Sequence, residues 1–242
     1  MFQSNKEYIN FLIQSGVHTF LQETPNNLLE IKEKAKGQVE EIEIKKIEEI
    51  KEIKELIPLI ANHKSPLKLT AKKLVLYDGN LNSNLMFVGE GPGQEEDEQG
   101  IPFVGKAGLL LNKMISAIQL KRKDVYITNV VPWRPPKNRT PTDQEILEFL
   151  PYLQKQIEII KPKFIYLLGA TAAKAILSST MSVAKLRGKW HQFKTINMEK
   201  NVDVLVSYHP AYLLRSPQYK KEAWIDLKKL QIKIKNENEN EN

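Results

Sequence analysis

The sequence contains no cysteine. That absence excludes disulfides, thiolate nucleophiles, thiolate-ligated zinc and any ordinary iron–sulfur cluster. Histidine is scarce as well: four occur, and two of them, His18 and His63, have no ligand-type neighbours in sequence, so no metal site is expected. No apolar run approaches the roughly 18 residues that a membrane span needs, and the start carries no signal-peptide pattern. A soluble, intracellular and cytoplasmic protein is expected. The 242 residues suffice for one α/β domain of ordinary size plus an appendage. The formal charge of +7 suits a polyanionic partner, since phosphate neutralisation and counterion release drive nucleic-acid affinity. A lysine-rich, Ile/Asn-rich chain also becomes basic by compositional drift, so charge alone leaves both readings open.

Apolar spacing predicts a helix over residues 5–22, closed by the Thr-Pro-Asn-Asn break. Residues 28–60 read as a long Lys/Glu/Ile helix supported by Glu–Lys pairs; it is either a partner-binding or DNA-facing arm, or a helix packed by its Ile stripe or serving as a spacer. The chain therefore divides into an N-terminal helical extension (1–61), a catalytic domain (62–233) and a charged, disordered low-complexity tail (234–242). Within the domain, short apolar runs alternate with amphipathic stretches, as in βαβ units. Strands are expected over 84–88, 124–130, 163–168 and 202–207, and helices over 106–118, 143–160 and 171–178. The fold class predicted is α/β: three layers, α/β/α, around a mostly parallel four-stranded sheet. In such sheets ligands collect beyond the carboxyl ends of the strands.

That is where the unusual segments lie. Residues 89–108, GEGPGQEEDEQGIPFVGKAG, concentrate six Gly and five acids after the first strand. Glycines let backbone amides approach a ligand, but the spacing fits neither phosphate-loop pattern and the acids would repel phosphate. TNVVPWRPPKNRTPT (128–142) follows the second strand and SYHPAYLLRSP (207–217) the fourth.

The strings VGEGPG…ED…G.PFVG.AG, TNVV..RPP.NR.P and HPAYLLR, in this order, resemble the thermophile-type, iron–sulfur (family 4) uracil-DNA glycosylases over roughly residues 62–230. The resemblance implies a monofunctional enzyme that flips uracil out of single- or double-stranded DNA, hydrolyses its N-glycosidic bond and leaves an abasic site for base excision repair; we expect it to act as a monomer. Such a reaction needs a platform for the flipped base, groups that read it, a donor to the departing anion and a positioned water. Phe103 is the stacking candidate, worth roughly 1–3 kcal/mol per base, or else a core residue. Asn129 can accept from uracil N3–H and donate to O4, a pattern cytosine reverses, or it is a strand-end turn residue. The resemblance makes His209 the donor to uracil O2, where a preorganised hydrogen bond is worth a few kcal/mol. Glu90, Glu96 and Asn138 are alternatives for orienting water or stabilising the cationic sugar; Glu95, Asp97 and Glu98 read as solvated loop charges. The Gly91 amide is an additional donor to the base, and the loop 91–96 lies beside the edge where thymine carries its methyl.

For DNA, the resemblance points to phosphate contacts from Lys106, Arg134, Arg139, Arg187, Lys189 and Arg215, and to Leu213 or Leu214 as the wedge filling the gap behind the flipped base, the other leucine being buried. Two departures follow. The four cysteines of the cluster-bearing relatives register with Asn62, Ser65, Trp133 and Phe149, none of which supplies a thiolate, so no cofactor is expected and apolar packing by Trp133 and Phe149 takes the cluster's place. A related branch captures the sugar covalently through an Arg-Arg-Ile-His run; here KLRGKWHQF displaces His191 from it, which implies turnover. The rival readings are a non-catalytic nucleic-acid-binding relative and a hydrolase of free nucleosides.

Overall fold

The computed structural model describes residues 46–240. Its centre is a six-stranded sheet formed by β1 (Tyr77–Gly79), β2 (Leu85–Gly89), β3 (Tyr126–Asn129), β4 (Phe164–Leu168), β5 (Trp190–Phe193) and β6 (Val202–Ser207), in the order β1-β3-β2-β4-β6-β5. The four strands expected from sequence, β2, β3, β4 and β6, form the parallel centre. β1 and β5 are additional antiparallel edges, so the sheet is larger than the four strands expected. Their sequences, YDG and WHQF, carry no apolar run and depend on the neighbouring strand for definition.

The central strands LMFVG and FIYLL are buried along their whole length because helices cover both faces. Alternate side chains divide between two cores. Met86, Val88, Ile165 and Leu167 point into one, with α1 (Ile53–Asn62), α4 (Asp143–Ile160) and α5 (Ala170–Leu177). Leu85, Phe87, Tyr166 and Leu168 point into the other, with α3 (Lys106–Ala117), α7 (Pro210–Arg215) and α8 (Lys220–Asn240). The result is the three-layer α/β/α arrangement. Two short helices, α2 (Gln94–Gln99) and α6 (Val183–Leu186), lie in the loops.

Both ends of the described chain depart from expectation. The helix expected over 5–22, and the first part of that over 28–60, lie outside the described residues. From residue 46 the Lys/Glu/Ile segment is helical to 49, breaks at 50–52, and resumes as α1 from an extended Glu52. Ile47, Ile50, Ile53, Leu56 and Ile60 are all buried in the first core, so this part packs into the domain by its Ile stripe. Burial of that stripe outweighs the local helix propensity that would have kept the helix unbroken. At the other end, α8 runs through the Asn/Glu repeat to Asn240, where a disordered tail was expected. Ala223, Asp226, Leu227 and Leu230 anchor it, and propagating a helix from an anchored segment is far easier than nucleating one. Among the described residues no helix is long and apolar enough to cross a membrane.

Candidate active site

The parallel register places Gly89 beside Asn129 and Leu168 beside Ser207, so four strands end in a row and four loops leave from one edge. Backbone pairing continues one step past the strands, with Val130 N–H donating to Gly89 O (3.0 Å) and Gly169 N–H to Ser207 O (2.9 Å). This fixes where the first loop residues point.

Phe103, Asn129 and His209 converge here. A methyl at Gly89 would lie 2.4 Å from both Asn129 Oδ1 and Phe103 Cζ, so glycine is what allows the two side chains to meet over the strand end. The Phe103 ring lies 5.7 Å from the His209 ring at 32°. Asn129 is 4% exposed and its Oδ1 is buried without a hydrogen-bond partner, an acceptor whose desolvation is uncompensated until something donates to it.

His209 is the N-cap of α7, and its Nδ1 accepts from Ala211 N–H at 3.1 Å. A neutral imidazole accepting at Nδ1 carries its proton on Nε2 and is a donor there. Burial first, and the Arg215 charge second, push its pKa down to about 4, so the ring is neutral at physiological pH.

The acidic loop after β2 is divided by the structure. Glu90 is half-buried, and its Oε2 accepts from the Thr171 hydroxyl at the start of α5. Glu96 behaves differently: Oε1 accepts from Val104 N (2.9 Å) and Gly105 N (2.8 Å), and Oε2 from Gly93 N (3.1 Å). The structure therefore gives Glu96 the work of closing the loop rather than the water-orienting role considered from sequence. Asp97 is not the solvated charge expected. It is fully buried, with Oδ1 accepting from Lys72 N and Lys73 N. Asn138 lies on the surface of the loop after β3, its Oδ1 accepting from Arg134 Nε at 2.7 Å.

The expected DNA contacts separate into free and engaged groups. Arg187 is contradicted as a phosphate contact: it chelates the fully buried Asp226, donates to Glu222 O, and lies over the Tyr208 ring. Leu213, 2% exposed, belongs to the core, which leaves Leu214, 43% exposed, as the wedge candidate. Arg139 pairs through two nitrogens with Glu145, the capping residue of α4, and Arg134 bridges Asn138 and, at 3.8 Å, Asp97. Lys106, Lys189 and Arg215 are exposed and form no ion pair among the described residues. His191 is held at Leu186 O in the edge strand. Sequence reasoning missed Thr171 and Arg122. Thr171 opens the helix directly after β4, which is a usable signal; Arg122 sits in a short turn with no motif around it.

Residues 76–228 match the uracil DNA glycosylase superfamily. The chain belongs to that superfamily. It is 45% identical over 152 residues, 62% of this chain and 77% of the relative, to a protein of Thermotoga maritima named type-4 uracil-DNA glycosylase. Proteins of the same name from Archaeoglobus fulgidus (40% over 176 residues, 71% and 87% of the two chains) and Sulfurisphaera tokodaii (45% over 159 residues, 64% and 71%) are similarly close. The three motif loops lie inside the matched span.

The positions that register with the family's cluster cysteines do not fit a metal cluster. Phe149 is fully buried and Trp133 is 5% exposed, both in the first core, while the Ser65 hydroxyl accepts from Leu67 N. The Phe149 ring meets His63 edge-on at 5.6 Å, and His63 Nε2 in turn lies 2.9 Å from Glu148. Among the described residues no group of three or more His, Cys, Asp or Glu side chains could hold a metal ion.

Proposed function

We propose that this protein is a monofunctional uracil-DNA glycosylase working without a metal cofactor. The observation that carries the reading is the convergence of an unpaired buried amide oxygen on Asn129, the Phe103 ring and a neutral His209 on one glycine-floored strand edge. Lys106, Lys189 and Arg215 take phosphates, and Leu214 fills the stack behind the extruded nucleotide. The flipped base stacks on Phe103. Asn129 Oδ1 accepts from N3–H and the carboxamide nitrogen donates to O4; cytosine would leave both groups unpaired, a far larger penalty than shape alone imposes.

As the glycosidic bond lengthens, negative charge grows on the base and positive charge on the sugar. His209 Nε2–H donates to O2 where the anion forms, and the Gly91 amide assists. Glu90, its second oxygen free of the Thr171 bond, is the carboxylate we assign to the oxocarbenium-like sugar and its attacking water, with Asn138 as the alternative for the water. No thiolate is available to hold a cluster, and we assign its structural task to the packing of Trp133 and Phe149. We read the enzyme as a monomer that acts on DNA in the cytoplasm.

The test is cleavage of a labelled uracil-containing oligonucleotide, developed with alkali at the abasic site. His209→Ala should lower kcat by about 10²–10³, and Asn129→Ala should do so while eroding discrimination against cytosine. A folded parent protein that binds DNA but leaves uracil in place would refute the reading.

A further inference from the structure

We infer that Arg122, which hydrogen-bonds to the backbone of Phe103 but to no side chain of the Phe103, Asn129 and His209 pocket, is the positioning residue that holds the Phe103 platform; the inference rests on the glycosylase reading above. Phe103 has φ 54°, a left-handed backbone that residues with side chains keep only when their surroundings enforce it. The enforcing groups surround the 102–105 backbone. Arg122 Nη1 donates to Phe103 O (3.0 Å) and Nη2 to Pro102 O (2.5 Å). From the opposite side Glu96 accepts from the next two amides, Val104 and Gly105. Two consecutive carbonyls are thus held by a cation and two consecutive amides by an anion.

The guanidinium is itself fixed. Nε donates to Asp78 Oδ2 on β1 (2.5 Å) and Nη1 also to Asn112 Oδ1 on α3 (2.9 Å), so its fork joins the edge strand, the helix and the loop. Gly108 completes the seat: a methyl there would lie 1.9 Å from Phe103 O, so α3 presses directly against the carbonyl that Arg122 grips. If the clamp opens, Phe103 can relax out of its left-handed conformation. Its ring then leaves the position over Gly89 that it shares with Asn129 and His209. A planar fork with several fixed donors is required for this, and a lysine ammonium, one point charge on a flexible stem, can answer Asp78 but not both carbonyls together.

The test uses Arg122→Lys in the full chain and in a Phe103→Ala background. A loss of about 10- to 100-fold in kcat at saturating uracil-DNA is expected, the scale of a 1 Å misplacement. The KM for DNA should hold, inhibition by free uracil should weaken, and amide exchange at Val104 and Gly105 should accelerate. In the Phe103→Ala background the same substitution should have little further effect, because its route to the chemistry has been removed. Should the lysine variant fold poorly, Arg122→Gln, which keeps one donor group, takes its place. An equal loss of kcat in both backgrounds, or unchanged exchange at Val104 and Gly105, would overturn the clamp. A parent inert on uracil-DNA would instead remove the glycosylase reading, and the exchange measurement would still decide whether Arg122 holds Phe103.

Discussion

Gly89 offers the most direct way to perturb the pocket without deleting any of its groups. Alanine there places a methyl 2.4 Å from both Asn129 Oδ1 and Phe103 Cζ. Unstrained carbon contacts lie at about 3.5–4 Å, so one or both side chains must retreat by about 1 Å. Neither has an easy route: Asn129 is fixed on a central strand and Phe103 is held in a left-handed backbone. Displacement on this scale costs on the order of 10² in rate, while overpacking of a buried site costs about 1–3 kcal/mol of stability. Gly89→Ala should therefore remain folded and bind DNA, but cleave uracil about 100-fold more slowly in a single-turnover assay with labelled oligonucleotide. Ile157→Val, fully buried in the opposite core, is the control, since it costs about 0.5–1.5 kcal/mol and should leave the rate alone. A folded Gly89→Ala protein cleaving within a few-fold of the parent would show that Asn129 and Phe103 do not act together at this strand end.

Other perturbations separate contact from scaffold. Arg187→Ala leaves the fully buried Asp226 without its cation, so urea unfolding should show a loss of about 3–5 kcal/mol, with the salt dependence of DNA binding unchanged. Lys106→Ala, Lys189→Ala and Arg215→Ala should instead each reduce the salt slope of DNA binding by about 1 at unchanged stability. His209 is held neutral, its pKa pushed down to about 4, so between the ordinary value of 6.5 and about 4 the unfolded chain binds a proton that the folded chain refuses. Stability is therefore full above that window and falls as pH drops through it, by up to about 3 kcal/mol; comparing His209→Gln with the parent by urea denaturation at neutral and acid pH measures it. Purified protein should carry no stoichiometric iron, and Phe149→Ala should cost about 3–5 kcal/mol.

The parallel centre of the fold was legible because its strands are apolar runs followed by turn signals, and Asp143–Ile160 was read to the residue from its Thr-Pro-Thr-Asp opening at 140–143, where the structure shows Thr142 and Glu145 forming a capping box. The edge strands were not legible, since YDG and WHQF acquire strand character only from β3 and β6. The break at 50–52 was hidden for a related reason: Glu–Lys spacing reports local propensity, whereas the break serves the burial of Ile50 and Ile53. In the site, Phe103, Asn129 and His209 were singled out through the family resemblance of the segments after the strand ends, and the structure brings the three side chains to one strand edge. Charged residues were less legible. Arg187 and Arg215 look equivalent in sequence, yet one chelates a buried aspartate and the other is exposed, a difference set by helix α8 meeting the sheet.

That difference recurs at the loops leaving the strand edge and bears on how the site keeps its shape. The loop after β2 closes on Glu96, and the one after β3 is braced by Arg134 between Asn138 and Asp97. The loop after β6 starts at Ser207, whose hydroxyl donates to Asp226, itself bound by Arg187 beneath Tyr208. The carboxylates of these braces, Glu96, Asp97 and Asp226, are turned inward, behind the residues we assign to the base. A buried charge without its partner costs several kcal/mol, so these braces have one strongly preferred arrangement. They hold their loops to the tolerance that hydrogen bonds to a flipped base demand. Loss of a brace should consequently appear as slower chemistry at nearly constant DNA affinity, whereas loss of Lys106, Lys189 or Arg215 should appear as weaker binding at nearly constant kcat.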